Sequence, residues 1–97
     1  MTLFVAVHKW KKEDLKTVAR KVIESMNLPA VEGMKFCFSY LRADQTGAWC
    51  VWEAKKAEDI KDMLDKAVPE METEVLPVLQ WFPPSADVYA ITHALIS

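Results

Sequence analysis

Two segments of the chain place apolar residues at the spacing of an amphipathic helix. Such a stripe covers one side of a helix and is buried against the rest of the protein. Acidic residues open both segments, and Asn27, Pro29 and Pro69 end them. We therefore predict helices over residues 13–26 and 57–68, with the stripes Leu15, Val18, Ala19, Val22, Ile23 and Met26, and Ile60, Met63, Leu64, Ala67 and Val68.

Four shorter segments have the residue types and lengths of β-strands. The first is the apolar run 3–8, and the last runs from Glu72 to Phe82. Pro77 interrupts the last one and lacks a backbone donor, which predicts an edge strand or a bulge there. Between the two helices, aromatic-rich runs flank a short polar break within residues 35–54, a pattern typical of a β-hairpin.

The polar break determines which residues of the hairpin face each other. Asp44 and Gly47 suit the first and fourth positions of a type I turn, with Gly47 in the left-handed conformation. This turn predicts Tyr40 opposite Trp52, and a slip of one residue exchanges the partners. One face then carries Phe36, Phe38, Tyr40, Ala48, Cys50 and Trp52, and the other carries Cys37, Ser39, Leu41, Trp49, Val51 and Glu53. Both faces are apolar, so each must be buried against another part of the protein or against a partner.

The order strand, helix, strand, strand, helix, strand predicts an α+β fold, the ferredoxin-like βαββαβ sandwich. Right-handed crossovers place both helices on one face of a four-stranded antiparallel sheet. The other face is a larger apolar patch than monomers expose. A second copy packed sheet against sheet, as in a dimeric α+β barrel, covers it, and we predict a homodimer.

The domain organisation follows from this order. Residues 1–82 are predicted to form the ferredoxin-like domain, and residues 83–97 a C-terminal tail helix that packs on the domain or on the dimer partner. Ser85 is the expected cap of that helix, whose stripe is Val88, Ile91 and Leu95.

Composition narrows the class of protein. The chain has 97 residues, is 52% hydrophobic and 27% charged, and contains two glycines, which is typical of one globular domain. Its net charge is −2 without a clustered basic face, so nucleic acid is not an expected partner. Two cysteines are too few for a disulfide scaffold, and no segment approaches the roughly 20 apolar residues of a membrane span. We expect a cytoplasmic protein without a membrane partner.

Four side chains are candidates for a ligand site: His8, Tyr40, Cys50 and Trp52. The first strand neighbours the second hairpin strand in this fold, so an aromatic wall would carry an imidazole, a phenol and a thiol at its rim. Such a wall suits a small, largely apolar ligand. The alternative is that these rings form only the core and the dimer interface, where aromatic residues are enriched.

Two of these side chains also suggest other chemistry. His8 and Cys50 are ligand types for Zn, Ni or Cu, but two ligands do not make a metal site. A further hypothesis is that Cys50 is a nucleophile and His8 is its general base. Since no helix N-terminus, Lys or Arg adjoins Cys50 in the sequence, structural burial of this thiol is favoured.

The hairpin residues resemble a known family. Ser39-Tyr40 followed by residues 47–54, Gly-Ala-Trp-Cys-Val-Trp-Glu-Ala, is similar to a small bacterial and archaeal family of dimeric α+β-barrel proteins of unknown function, one branch of which binds nickel. The Pro-Ser of that family is replaced here by Lys55-Lys56, and the histidine pairs of the nickel branch are missing. Residues 74–79 are similar to the last strand of muconolactone isomerases.

The resemblance implies the fold and the dimer but almost nothing about chemistry, and we expect no cofactor. Three functions stay open. The first is binding of a small apolar ligand or a metal. The second is a cofactor-independent isomerase, monooxygenase or decarboxylase that acts on a hydrophobic substrate. The third is a purely structural dimer.

Overall fold

A four-stranded antiparallel sheet forms the centre of the protein in a computed structural model that describes residues 1–97. The strands are β1 (Thr2–Lys9), β2 (Lys35–Leu41), β3 (Gly47–Ala54) and β4 (Glu72–Pro77), in the order β2-β3-β1-β4. The helices are α1 (Leu15–Met26), α2 (Ala57–Ala67) and α3 (Ala86–Ile96). This order and pairing confirm the predicted α+β ferredoxin-like fold.

The predicted helical stripes provide the core between the sheet, α1 and α2. Val18 of α1 and Ile60 of α2 are buried against β1 and β3, which contribute small and aromatic side chains. Burial of one such aliphatic side chain contributes about 1.5–3 kcal/mol. The core consists of Phe4, Ala6, Val18, Ala54, Ile60, Leu64, Val68 and Met71.

The helix boundaries agree with the sequence pattern to within two residues. α1 begins at Leu15 because Lys12–Asp14 form a separate 3₁₀ turn, and α2 ends at Ala67. Lys21 of α1 forms an ion pair of 2.7 Å with Glu70, beyond the end of α2, which ties the two helices together. None of the three helices combines the length and the apolar character that crossing a membrane requires.

The sheet has two faces, because successive side chains of a strand point in opposite directions. The helix face packs against α1 and α2 and comprises Phe4, Ala6, His8, Phe36, Ser39, Leu41, Ala48, Cys50, Trp52, Ala54, Thr73 and Val75. The open face comprises Leu3, Val5, Val7, Lys9, Lys35, Phe38, Tyr40, Trp49, Val51, Glu53, Glu72, Glu74 and Leu76. No helix covers the open face, and Tyr40 and Trp49 are 61% and 42% exposed there.

The register of the hairpin differs from the predicted one. Tyr40 pairs with Trp49, and Phe36 pairs with Trp52, so the predicted pairing of Tyr40 with Trp52 is wrong. The left-handed residue is Gln45, with a φ of 65°, instead of Gly47. Asp44 stabilises this longer loop through Oδ1, which accepts hydrogen bonds from the backbone N (3.1 Å) and Oγ1 (2.7 Å) of Thr46.

Gly47 is required for a different reason. A Cβ at this position would lie 2.6 Å from the backbone oxygen of His8 on the neighbouring strand. A backbone atom within a sheet cannot move aside without breaking the strand pairing. The glycine therefore allows β1 and β3 to approach at the start of the second hairpin strand.

A bulge at Cys37 interrupts β2. Phe36 pairs with Trp52 and Phe38 pairs with Val51, so Cys37 has no partner in β3. The extra residue places Phe36 on the helix face and Phe38 on the open face. The predicted grouping of Phe38 and Tyr40 with Cys50 and Trp52 is wrong because the hairpin turn pairs Phe38 with Val51 and Tyr40 with Trp49.

The chain beyond β4 leads into the tail helix. β4 is an edge strand, as Pro77 predicted, and it ends at Pro77 instead of Phe82. The backbone N of Val78 still donates to the oxygen of Leu3 at 2.9 Å. The Phe82-Pro83 peptide bond is cis. Ser85 caps α3 as predicted, and its Oγ accepts a hydrogen bond of 3.2 Å from the backbone N of Val88.

Candidate functional site

Three of the four predicted site residues lie on the helix face. His8 on β1 pairs with Ala48, while Cys50 and Trp52 follow at alternate positions along β3. Tyr40 lies on the open face opposite Trp49, so the sheet separates its phenol from the other three side chains. The prediction that all four border one pocket is therefore wrong for Tyr40.

His8 is a buried histidine with one of its two ring nitrogens unpartnered. Nδ1 lies 3.0 Å from the Oγ1 of Thr73 on β4, whereas Nε2 has no hydrogen-bond partner. Burial lowers the pKa of His8 from 6.5 to about 4. The imidazole is therefore neutral at physiological pH, and Nε2 offers either an N–H or a lone pair, according to the tautomer.

Trp52 is the second residue with an unpartnered polar atom. Its ring stacks on Phe36, with 4.6 Å between the ring centroids and 22° between the planes. Its Nε1 is buried and has no hydrogen-bond partner. Native structures rarely leave such donors unpaired, since an unsatisfied buried group costs about 1–3 kcal/mol.

Cys50 lies between these two residues along the helix face. Burial raises the pKa of its thiol, and this effect exceeds the opposing one of the hydrogen bond to Ser39, whose Oγ lies 3.3 Å from Sγ. The thiol is therefore protonated at neutral pH, which does not favour the nucleophile reading. Cys50 therefore contributes a small, uncharged side chain to the helix face.

Metal ligation would need more residues than the helix face supplies. No group of three His, Cys, Asp or Glu side chains in the structure lies close enough to hold a metal ion. His8 and Cys50 would therefore need ligands from outside the chain.

Two clefts of the surface lie elsewhere. One, of about 420 Å³, is lined by residues of the β4 extension and α3, including Leu79 and Val88. The other, of about 520 Å³, lies beside β4 and carries Lys61, Asp65 and Glu72. Neither of these clefts is lined by His8, Cys50 or Trp52.

Of the two partners of the site, the sequence indicated Ser39 as a polar group of the pocket but did not indicate Thr73. Thr73 fixes one nitrogen of His8, and Ser39 hydrogen-bonds Cys50. Thr73 was foreseeable as an alternating position of the last strand, but its pairing with His8 depends on the register of β1 and β4. Ser39 reaches Cys50 because the hairpin turn pairs Leu41 with Ala48, which places Ser39 on the helix face.

The pH dependence of stability is expected to report on His8. Between pH 6.5 and about 4 the unfolded chain binds a proton at this imidazole that the folded chain does not. The free energy of unfolding is therefore unaffected by His8 above pH 6.5 and decreases on acidification, by about 3 kcal/mol in total once the pH falls below about 4. Urea unfolding at several pH values in this range measures the decrease.

The control for this titration is the substitution His8→Gln. The Asp and Glu side chains titrate in both proteins, so the difference between their pH profiles isolates His8. Parallel profiles would show that the imidazole is protonated equally well in the folded chain.

The fold and this face define a ferredoxin-like α+β protein with two unpartnered ring nitrogens between its sheet and its helices. Residues 2–87 match the model of the family described as Domain of unknown function (DUF3303), and the chain belongs to that family. No curated protein matches the chain, and neither does any solved structure. The resemblances to a nickel-binding branch and to muconolactone isomerases stay predictions.

Proposed function

We propose that this protein is a homodimer that binds a small, largely apolar molecule on the helix face of its sheet. The observation that supports this function is the pair of buried nitrogens, Nε2 of His8 and Nε1 of Trp52, that lack hydrogen-bond partners on one face. A bound molecule with an oxygen atom would satisfy one of them. It would thereby remove the cost of leaving that nitrogen unpartnered.

The chemistry of the two nitrogens specifies the ligand class. The indole N–H of Trp52 can only donate, so the ligand atom beside it is an acceptor such as a carbonyl, hydroxyl or carboxylate oxygen. The Phe36 ring stacks on Trp52, and the protonated thiol of Cys50 is on the same face of the sheet. An aromatic or cyclic molecule with one or two oxygen atoms fits this chemistry.

The dimer is proposed to form through the open face. The chain has an accessible surface of 7227 Å² for a mass of 11.1 kDa. A typical monomer of this mass exposes about 5,700 Å². The difference, about 1,500 Å² per chain, corresponds to a total interface of about 3,000 Å², which is within the range of obligate dimers.

Ligand binding is expected to raise the melting temperature of the protein. Salicylate and 2-naphthol serve as probes of the oxygen-bearing aromatic class, and chlorides of Ni, Zn and Cu test the metal reading. At a ligand concentration ten times the Kd, the stabilisation is about 1.4 kcal/mol, or several degrees for a domain of this size. Differential scanning fluorimetry over a concentration series measures it.

A pair of matched variants assigns this effect to the site. Trp52→Phe keeps an aromatic ring but removes the buried donor, so the shift should shrink. Trp81→Phe makes the same change at a tryptophan that is 69% exposed, and should leave the shift intact. If no probe moves the melting temperature, ligand binding is wrong and the purely structural dimer is the function that remains.

A second candidate is a cofactor-independent enzyme that acts on a hydrophobic substrate. The observation that favours it is the neutral imidazole of His8 with a free Nε2, since a general base must be unprotonated. In that case His8→Gln abolishes turnover of a bound hydrophobic compound while the thermal shift persists. A binding protein would show no turnover in either form.

A further inference from the structure

The C-terminal arm, defined here as residues 79–96, is apolar on all sides. α3 has no Lys, Arg or Glu, and its polar positions are limited to Asp87, Thr92 and His93. Only Val88 of this helix is buried, whereas Leu95 and Ile96 are each 76% exposed. A helix that is hydrophobic all round is normally buried, so this arm requires a partner surface.

The arm does not obtain that surface from its own domain. The open cleft of about 420 Å³ lies between α3 and the extension of β4, lined by Val78 and Ile91 among others. The chain is also elongated, with extents of 50 × 32 × 19 Å and a radius of gyration of 15.1 Å. A compact domain of this length has a radius of gyration of about 12.5 Å.

The arm contributes to the excess surface of the chain. The accessible surface beyond that of a typical monomer is about 1,500 Å² per chain. The exposed apolar side chains of the arm, such as Trp81, Phe82 and Leu95, are part of this surface, and an interface of standard size buries about 800 Å² per partner.

We propose that the C-terminal arm docks on a second copy of this chain and extends the interface formed by the open faces. This inference rests on the homodimer proposed above and does not depend on the ligand. A lipid surface is a poorer match, because helices that lie on membranes carry a charged face rich in Lys and Arg. α3 has neither residue.

The first test replaces two exposed side chains of α3. Tyr89 and Leu95 are 60% and 76% exposed, so Tyr89→Ser combined with Leu95→Ser should leave the isolated fold intact. Analytical ultracentrifugation is expected to show a dimer dissociation constant at least tenfold higher. The control, Leu28→Ser with Val31→Ser, changes two exposed apolar residues outside the arm and should leave that constant unchanged.

The second test measures amide hydrogen exchange of α3 in the wild-type dimer and in a monomer made by Val5→Lys on the open face. The proposal expects exchange in α3 to become at least tenfold faster in the monomer. Equal exchange rates in the dimer and the monomer would show that the arm packs on its own chain, and this result would overturn the proposal.

Two other outcomes would also overturn it. In the first, the arm variant has an unchanged dissociation constant, and the wild-type protein floats with phosphatidylcholine–phosphatidylglycerol vesicles whereas the variant does not. This result would assign the arm to a lipid surface. The other is a wild-type chain that sediments as a monomer. That result would also remove the proposed dimer, but it would leave the thermal-shift test of the ligand unaffected.

Discussion

Replacing Trp52 by Ala is expected to lower the free energy of unfolding by about 3–5 kcal/mol, the usual cost of emptying a large aromatic site. The Trp52 ring packs against the core and stacks on Phe36, so its removal leaves a cavity that the rigid sheet cannot close. Loss of the unpartnered indole N–H offsets part of this cost. Chemical denaturation with urea, followed by circular dichroism, measures the change.

Leu28→Ala is the matched control for this variant, since Leu28 is 68% exposed and lies outside the core. Its free energy of unfolding should change by about 0.5 kcal/mol or less. A loss below about 1 kcal/mol for Trp52→Ala would mean that the indole is peripheral. The helix-face site would then lack its aromatic wall.

Substituting Val5 by Lys is expected to convert the protein from a dimer into a monomer. Val5 pairs with Val51 on one side and with Leu76 on the other, which places it in the middle of the open face. In the proposed dimer two lysine side chains would be buried without partners, at a cost of several kcal/mol for each. The dissociation constant should rise at least about 1,000-fold, which corresponds to about 4 kcal/mol.

Sedimentation velocity at micromolar concentration distinguishes one 11.1 kDa chain from two. Val31→Lys introduces the same charge at a residue that is exposed in a loop, and it should remain dimeric. The melting temperature of the wild-type protein should also rise with protein concentration, because association stabilises the folded state. A wild-type monomer would contradict the homodimer directly.

The helices and the strand order could be predicted because they depend on local periodicity. Val18 and Ile60 lie on stripes whose burial against a sheet is independent of the details of any turn. The predicted cap at Ser85 and the edge position of Pro77 likewise follow from the chemistry of single residues. The α+β fold can therefore be predicted from the sequence pattern.

The hairpin register could not be derived in the same way. Glycine is the default left-handed residue, so the sequence predicts Gly47 in that conformation. In the structure, Gly47 instead allows the backbone of β3 to lie close to the backbone oxygen of His8. Asp44 accepts two hydrogen bonds from Thr46, a local interaction that makes the longer loop with a left-handed glutamine favourable.

The candidate site likewise combines features that the sequence predicts with features that it does not. His8, Cys50 and Trp52 share a face because strict alternation along β1 and β3 fixes it once those strands pair. The face of Tyr40 depended on the register that the hairpin turn sets, which hydrophobic alternation does not reveal. The unpartnered state of the two ring nitrogens is a property of three-dimensional packing that residue types alone do not contain.

The bulge at Cys37 also bears on how copies of this chain avoid aggregation. β2 is an edge strand, and a straight edge offers a continuous row of backbone donors and acceptors to any free strand. The extra residue breaks the spacing of that row, while Pro77 removes a donor from the opposite edge at β4. With both edges blunted, growth into open-ended β-assemblies is disfavoured, and contact between copies is directed to surfaces that a closed pair can bury completely.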